Sequence, residues 1–435
     1  MKKTLVALAA LAATGAFAQS AITMYGVAEA TIDLGYKNTV NTRGDTFNPA
    51  GVVTPGTAVG NSTSKAGFRV QDGNSQGVGT SRIGWRGNED LGGGLKGNFL
   101  AEMGFRIDDG QTGGDAGNGG GSGTTGGPAL LGRNAWMGVS GGFGEVRLGR
   151  QVLGAFGVQA NSWAAGSSSG LYETGANTAP LMGGVRFSNA IKYLTPNLGG
   201  FTGSLTLRAP EGGGTTNSGG ANPATSDIAN KTGMDLSAEY SNGPLYVGFG
   251  YDKVSGTTTT NTALGLATNV LTSTSGSTKG VTLGAAYDFG IVKPYFNYSK
   301  ATTNGTNSTF GPGTTFGAGP SNSDNKAFSV GLRAPFGPVT LITSYGKGKL
   351  TSNGSASNNA GLVGSAAGEV TKKAFQIGAQ YALSKRTMLE ANLGQLKTDG
   401  VARTTGFAAN VSTGGTIANS NGKESALNFG VRHAF

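Results

Sequence analysis

Ile22-Thr23-Met24-Tyr25-Gly26-Val27-Ala28-Glu29-Ala30-Thr31-Ile32-Asp33-Leu34 reads as a strand with two opposed faces. Successive side chains of an extended chain point to opposite sides. Ile22, Met24, Ala28, Ala30, Ile32 and Leu34 therefore share one side, and Thr23, Glu29, Thr31 and Asp33 share the other. The same period returns over residues 98–107, where Phe99, Ala101, Met103, Phe105 and Ile107 oppose Asn98, Glu102 and Arg106. It returns again at the far end, where Leu427, Phe429, Val431 and Phe435 oppose Asn428 and Arg432. Composition points the same way: of 435 residues 80 are Gly, 13 are Pro, and only 13% are charged. Glycine costs about 1 kcal/mol in a helix interior, so this content belongs in turns, loops and strands. The glycines show no three-residue period, which excludes collagen. With no Cys and one histidine, His433, disulfides, thiol nucleophiles and multi-histidine metal centres are excluded as well.

The first residues give a compartment. Lys2 and Lys3 precede an apolar run from Leu5 to Ala13, and Ala16-Phe17-Ala18 supplies a small-x-small cleavage pattern. Residues 1–18 read as a secretory signal peptide, too short for a transmembrane helix of about 20 apolar residues. Residues 19–435 are expected to form a single β-barrel domain. Without the two signal lysines, 31 basic residues face 23 acidic ones, a net charge of +8. Export and the scatter of the basic residues argue against nucleic acid as a partner.

Spacing decides which face meets what. Short turns are expected near residues 89–94, 141–144, 196–200, 242–244, 289–290, 335–338 and 384–386. Long connections rich in Gly, Asn, Ser and Thr are expected near 38–80, 108–132, 151–184, 209–232, 254–279, 301–325, 348–371 and 398–422. All the long ones fall at one end of the strands, and the count comes to about sixteen. An even number of antiparallel strands, short turns at one end and long loops at the other are the features of a transmembrane barrel. Only helices and closed barrels satisfy their backbone in hydrocarbon. The fold class expected is therefore all-β, a 16-stranded antiparallel transmembrane barrel with short periplasmic turns and long extracellular loops. A barrel of that size leaves an aqueous channel, so the apolar face meets lipid and the charged face lines water. Tyr36, Tyr251, Tyr287, Phe289, Phe296, Tyr298, Tyr345 and Tyr381 suit interfacial girdles.

Several motifs make the chain resemble the trimeric general porins of β-proteobacteria, a Gram-negative family. They are Ala21 to Val27, Ser81-Arg82-Ile83-Gly84-Trp85-Arg86-Gly87 with Glu89-Asp90-Leu91-Gly92, Phe143 to Arg150, Tyr193 to Asn197, Leu383 to Thr387 and Gly430 to Phe435. The resemblance runs from end to end. It implies an outer-membrane homotrimer surrounded by lipid and lipopolysaccharide, with Phe435 as the signal read by the barrel assembly machinery. It also implies a third long loop that folds inward and narrows the channel, here about residues 151–184. Glu173 is the only charged residue between Arg150 and Arg186. Phe156, Trp163, Leu171, Tyr172 and Leu181 either pin that loop to the wall or cover its surface. Arg82, Arg133 and Arg186 match the positions of an arginine cluster at the constriction of anion-selective members. Alternation agrees for Arg82, beside outward Ile83 and Trp85, and for Arg186, beside outward Phe187. It does not settle Arg133.

Other charges expected to face the lumen include Arg86, Glu102, Arg106, Glu145, Arg147, Lys192, Asp235 and Asp288. Bases and acids on that face come to nine of each sign, so selectivity rests on the three further arginines and the acid-poor third loop. Gly121-Ser122-Gly123-Thr124-Thr125-Gly126 satisfies a dinucleotide fingerprint but lacks the strand and helix that a site needs. Asp108, Asp109 and Asp115 are too few for a calcium loop. His433, alone and outward, builds no catalytic triad. No cofactor and no enzymatic activity are expected. The reading is passive diffusion of small hydrophilic solutes and ions with moderate anion preference; the alternatives are a surface adhesin or antigen barrel and a substrate-specific channel.

Overall fold

The computed structural model describes residues 21–47, 53–54, 58–72, 81–108, 110, 130–164, 184–210, 226–263, 269–311, 314–357, 363–404 and 416–435. Residues 1–20, which hold the signal-peptide reading, lie outside them.

The described residues form one closed antiparallel sheet. Its segments are β1 (Ala21–Phe47), β2 (Val53–Thr54), β3 (Ala58–Asp72), β4 (Arg82–Gly92), β5 (Leu95–Gly104), β6 (Asn134–Gly141), β7 (Gly144–Val152), β8 (Arg186–Leu194) and β9 (Phe201–Arg208). They continue with β10 (Ser226–Asn242), β11 (Leu245–Ala263), β12 (Asn269–Tyr287), β13 (Lys293–Gly311), β14 (Thr314–Phe336), β15 (Val339–Ser357), β16 (Val363–Ala382), β17 (Thr387–Thr404) and β18 (Thr416–Ala434). The two-residue β2 is a spur on the end of β1. Along one edge of β1, β4 pairs with Ala21 to Val27 and β3 with the stretch from Ala30 to Arg43. Ser81 N donates to Asp72 Oδ2 at 3.2 Å, which joins the end of β3 to the start of β4. The two are halves of one wall strand, and the wall has sixteen strands. β18 closes it on the other edge of β1. Gly26 N donates to Phe435 O at 3.0 Å and Phe435 N to Gly26 O at 3.1 Å, so the terminal residue completes the seam.

The barrel is inside out, as the alternation predicts. In β10, Asp235 is 0% exposed and Ser237 is buried, whereas Met234 and Leu236 are exposed. Thr206, Thr282, Asn297 and Gln376 are fully buried polar groups, while Met137, Leu148, Ile191 and Phe249 stand on the outer surface. A soluble sandwich would show the reverse. Of the aromatics assigned to girdles, Tyr287, Phe289, Phe296, Tyr345 and Tyr381 are exposed.

Four details differ from the sequence reading. Residues 38–47, 58–72, 226–232, 255–263, 269–278, 302–311, 314–325, 348–357, 363–371, 398–404 and 416–422, all expected to be loop, instead continue the strand ladders. Thr257 to Thr260 are β-branched and favour extended backbone, and hydroxyl pairs such as Thr278–Thr303 at 2.9 Å and Ser275–Thr306 at 2.7 Å link neighbouring strands. β5 ends at Gly104, so Arg106 lies in the turn beyond it rather than on the wall. Asp288 also sits in a turn, where its Oδ1 accepts from Gly290 N at 2.8 Å. Finally, Phe187 is not outward but 0% exposed within the barrel. A register shift between Gly149 and Gln151 and a left-handed Asn189 (φ 52°) break the alternation on either side of it.

Candidate functional site

Beyond β7 the chain enters the barrel as the helix α1 (Gly154–Asn161). Leu153 N donates to Val185 O at 3.0 Å and draws together the two ends of the third connection. The first amides of α1 aim at one wall carboxylate: Gly154 N donates to Asp235 Oδ1 at 2.7 Å and Ala155 N to Asp235 Oδ2 at 2.9 Å. Thr206 Oγ1 adds a contact at 3.3 Å. A carboxylate there satisfies two amides that have no partner within the helix and complements the positive end of its dipole. Further along, Gln159 Nε2 donates to Ser299 Oγ at 2.9 Å, Asn161 Nδ2 to Glu239 Oε2 at 3.1 Å and Asn297 Nδ2 to Ser162 Oγ at 2.8 Å. Arg333 Nη1 reaches Ala164 O at 3.1 Å. The segment is thus tied to β10, β13 and β14, well away from its own ends. The wall makes room where it lies: a Cβ on Gly250 would come within 2.5 Å of Ala155 Cα.

An apolar cluster of Leu153, Phe156, Trp163, Val185, Phe187 and Ala190 fills the side of α1 nearest β8. The Phe156 and Trp163 rings meet edge to face at 6.1 Å. Of the aromatics considered for this loop, Phe156 and Trp163 therefore pin it to the wall. Leu171, Tyr172, Glu173 and Leu181 lie outside the described residues.

Two of the three arginines singled out in the sequence, Arg82 and Arg133, converge on one carboxylate, Glu102 of β5. Arg133 Nε lies 2.7 Å from Glu102 Oε1, and Arg82 Nε lies 3.6 Å from Oε2. Arg186 is within electrostatic reach of both Glu102 and Arg82. Tyr25 OH donates to Glu102 Oε2 at 2.7 Å and Asn134 Nδ2 to Oε1 at 3.3 Å. Arg133, whose direction alternation does not settle, thus points inward. Two guanidinium groups on one carboxylate leave one positive charge in a narrow region of wall, and the buried Arg186 adds another at the start of β8. Arginine holds that charge at any relevant pH and offers fixed donors to a passing anion.

The other charges divide by role. Arg147 Nη2 pairs with Glu145 Oε2 at 2.6 Å, and Arg86 is exposed on the inner wall. Lys192, expected as a lumen charge, is buried and donates from Nζ to Val152 O at 2.9 Å, bracing the point where the chain leaves β7. Sequence reasoning placed Asp235 on the inner face but missed its tethering of α1, as it missed the tether from Arg333. Their partners lie 81 and 169 residues away, beyond any local pattern.

A model of the Gram-negative porins matches residues 4–401. The chain belongs to the Gram-negative porin family. This porin is 34% identical over 215 residues to outer membrane porin protein 32 of Delftia acidovorans, covering 46% of the chain and 48% of that protein. It is 30% identical over 269 residues to an outer membrane porin protein of Bordetella pertussis, covering 59% of the chain and 60% of the relative. The chain thus spans about half the length of the curated relatives it matches. Among solved structures it is similar to an anion-selective porin from Comamonas acidovorans, with a TM-score of 0.49 and 24% identity over 96% of this chain and 100% of the other. Family and architecture together make it an integral β-barrel of the outer membrane.

Proposed function

We propose that this porin is a water-filled channel for passive diffusion of small hydrophilic solutes and ions, with a moderate preference for anions, and that it performs no catalysis. The observation that carries the reading is the arrangement of the interior: a polar wall, a helix held inside it, and Arg82 and Arg133 gathered on Glu102 with Arg186 buried at the start of β8. Low-dielectric walls focus such a field, so a local excess of positive charge acts on each ion that passes. The channel needs no cofactor. In this reading the apolar outer surface meets lipid and lipopolysaccharide, the protein assembles as a homotrimer, and Phe435 presents the barrel to its assembly machinery after a signal peptide of residues 1–18 has been removed.

The test is the zero-current potential of purified protein in a planar bilayer under a KCl gradient. A chloride-sided potential that shrinks when Arg82, Arg133 and Arg186 are each changed to Ser supports the reading. A cation-sided potential overturns the anion preference. Absence of any conductance overturns the channel and favours a closed surface barrel.

A further inference from the structure

Next to the Glu102 cluster, toward the short turns, the inner wall carries side chains that ion selection does not require. In the sheet register Thr23 stands opposite Arg86, Arg86 opposite Leu100, Leu100 opposite Trp136, and Trp136 opposite Gly149. This row shares the face of Glu102 and Asn134, two residues away along β5 and β6. Met137, one residue out of phase, is exposed on the outside. A leucine and an indole therefore stand among the polar side chains of this part of the inner wall. Two guanidinium groups flank them. Arg147 lies 4.1 Å from the centre of the Trp136 ring, and Arg86 lies 5.4 Å from that of Tyr25. A recess of about 620 Å³ opens among Tyr25, Arg86, Leu100, Trp136 and Arg147. At Leu100, Trp136 and Arg147 it adjoins a second recess of about 480 Å³ beside α1.

The charges of the recess are unequal. Arg147 is matched by Glu145, which also accepts from Asn98 Nδ2 at 3.3 Å. Arg147 thus offers a flat cation already balanced. Arg86 has no carboxylate partner among the described residues and leaves one positive charge. An apolar floor, a stacking plane and a single forked donor together match a small planar monoanion with an apolar body. We infer that this row is a subsite for aromatic carboxylates, with the ring on Leu100 and Trp136 and the carboxylate on Arg86. The inference rests on the channel reading, since the solute reaches the row through the lumen.

The probe is 4-fluorobenzoate, titrated into detergent-solubilised protein and followed by fluorine-19 NMR, with its effect on chloride current recorded in parallel bilayers. Wild-type protein is expected to bind it saturably, and a tenfold excess of acetate, which has the charge without the ring, is expected not to displace it. Arg86→Gln should weaken binding about tenfold by removing a charge-assisted pair. Trp136→Leu should weaken it about fivefold by removing the aromatic pair. Arg86 is exposed, so its variant tests the subsite even if Trp136→Leu does not fold. Unchanged affinity in Arg86→Gln, or equal competition by acetate, overturns the subsite. Chloride conductance without benzoate binding overturns the subsite and leaves the channel; binding without conductance leaves the subsite and overturns the channel.

Discussion

Replacing Asp235 by Ala removes the two hydrogen bonds that hold the first turn of α1, Gly154 N to Oδ1 at 2.7 Å and Ala155 N to Oδ2 at 2.9 Å. A hydrogen bond to a charged group contributes about 1.5–3 kcal/mol, so two contribute about 3 kcal/mol at the low end. Burying the carboxylate, which is 0% exposed, offsets part of that, and its removal returns the desolvation cost. About 1.5–2 kcal/mol of docking energy is then lost, and at ~1.4 kcal/mol per factor of ten the helix opens about 10–30 times more often. The remaining tethers at Ser299, Asn297 and Arg333, and the apolar cluster around Phe156 and Trp163, keep the segment inside the barrel. The expected result is local. Hydrogen exchange in peptides covering residues 153–163 speeds up by about that factor, strand amides keep their protection, and open-channel current becomes noisier. Asp235→Asn, which retains one acceptor oxygen, should fall between the two. Exchange within twofold of wild type in the Ala variant would refute the reasoning, since the carboxylate would then not be what docks α1.

Gly250→Val should push α1 from its bed, because the added Cβ would stand 2.5 Å from Ala155 Cα; an unchanged single-channel conductance and current noise would show that the helix does not rest there. Glu102→Gln raises the charge of the arginine cluster by one while keeping the side-chain size, so the zero-current potential should move further to the chloride side, and movement toward potassium would contradict the proposed role of the cluster. Gly26→Val should impair closure, since its Cβ would lie 2.3 Å from Phe435 Cζ and 2.7 Å from Arg82 O. Overpacking of this kind costs about 1–3 kcal/mol, and the folded fraction on an unheated denaturing gel should fall; full retention would argue against the Phe435 seam.

Much of this protein was legible because its main signal is local. A period of two residues follows from the pleat alone, so Met234 and Leu236 can be sent outward and Asp235 and Ser237 inward without knowing any neighbour. The seven short turns and the sixteen-strand wall follow from where that period stops and starts. That signal fades where the period loses its meaning. Outside hydrocarbon neither face must be apolar, so the Thr- and Ser-rich halves of β11 to β14 look like loop and are held as strand by their ladders and hydroxyl pairs. At Phe187 a bulge and the positive φ of Asn189 reset the phase, and a residue expected to face lipid becomes fully buried under α1.

By itself the sequence determined the inside-out barrel, its closure between first and last strands, and the set of residues that can reach the lumen. Only the tertiary structure decided which of those residues meet. Arg82, Arg133 and Arg186 lie on separate stretches of chain, and nothing in their spacing says that Glu102 stands between the first two. Asp235 is one inward acid among several until α1 is laid across it, and Lys192 is an ion-lining charge until its Nζ is found on the carbonyl of Val152. Alternation sets only the direction of a side chain from its own strand, whereas the function of the site depends on distances between strands, which closing the barrel and docking the helix establish.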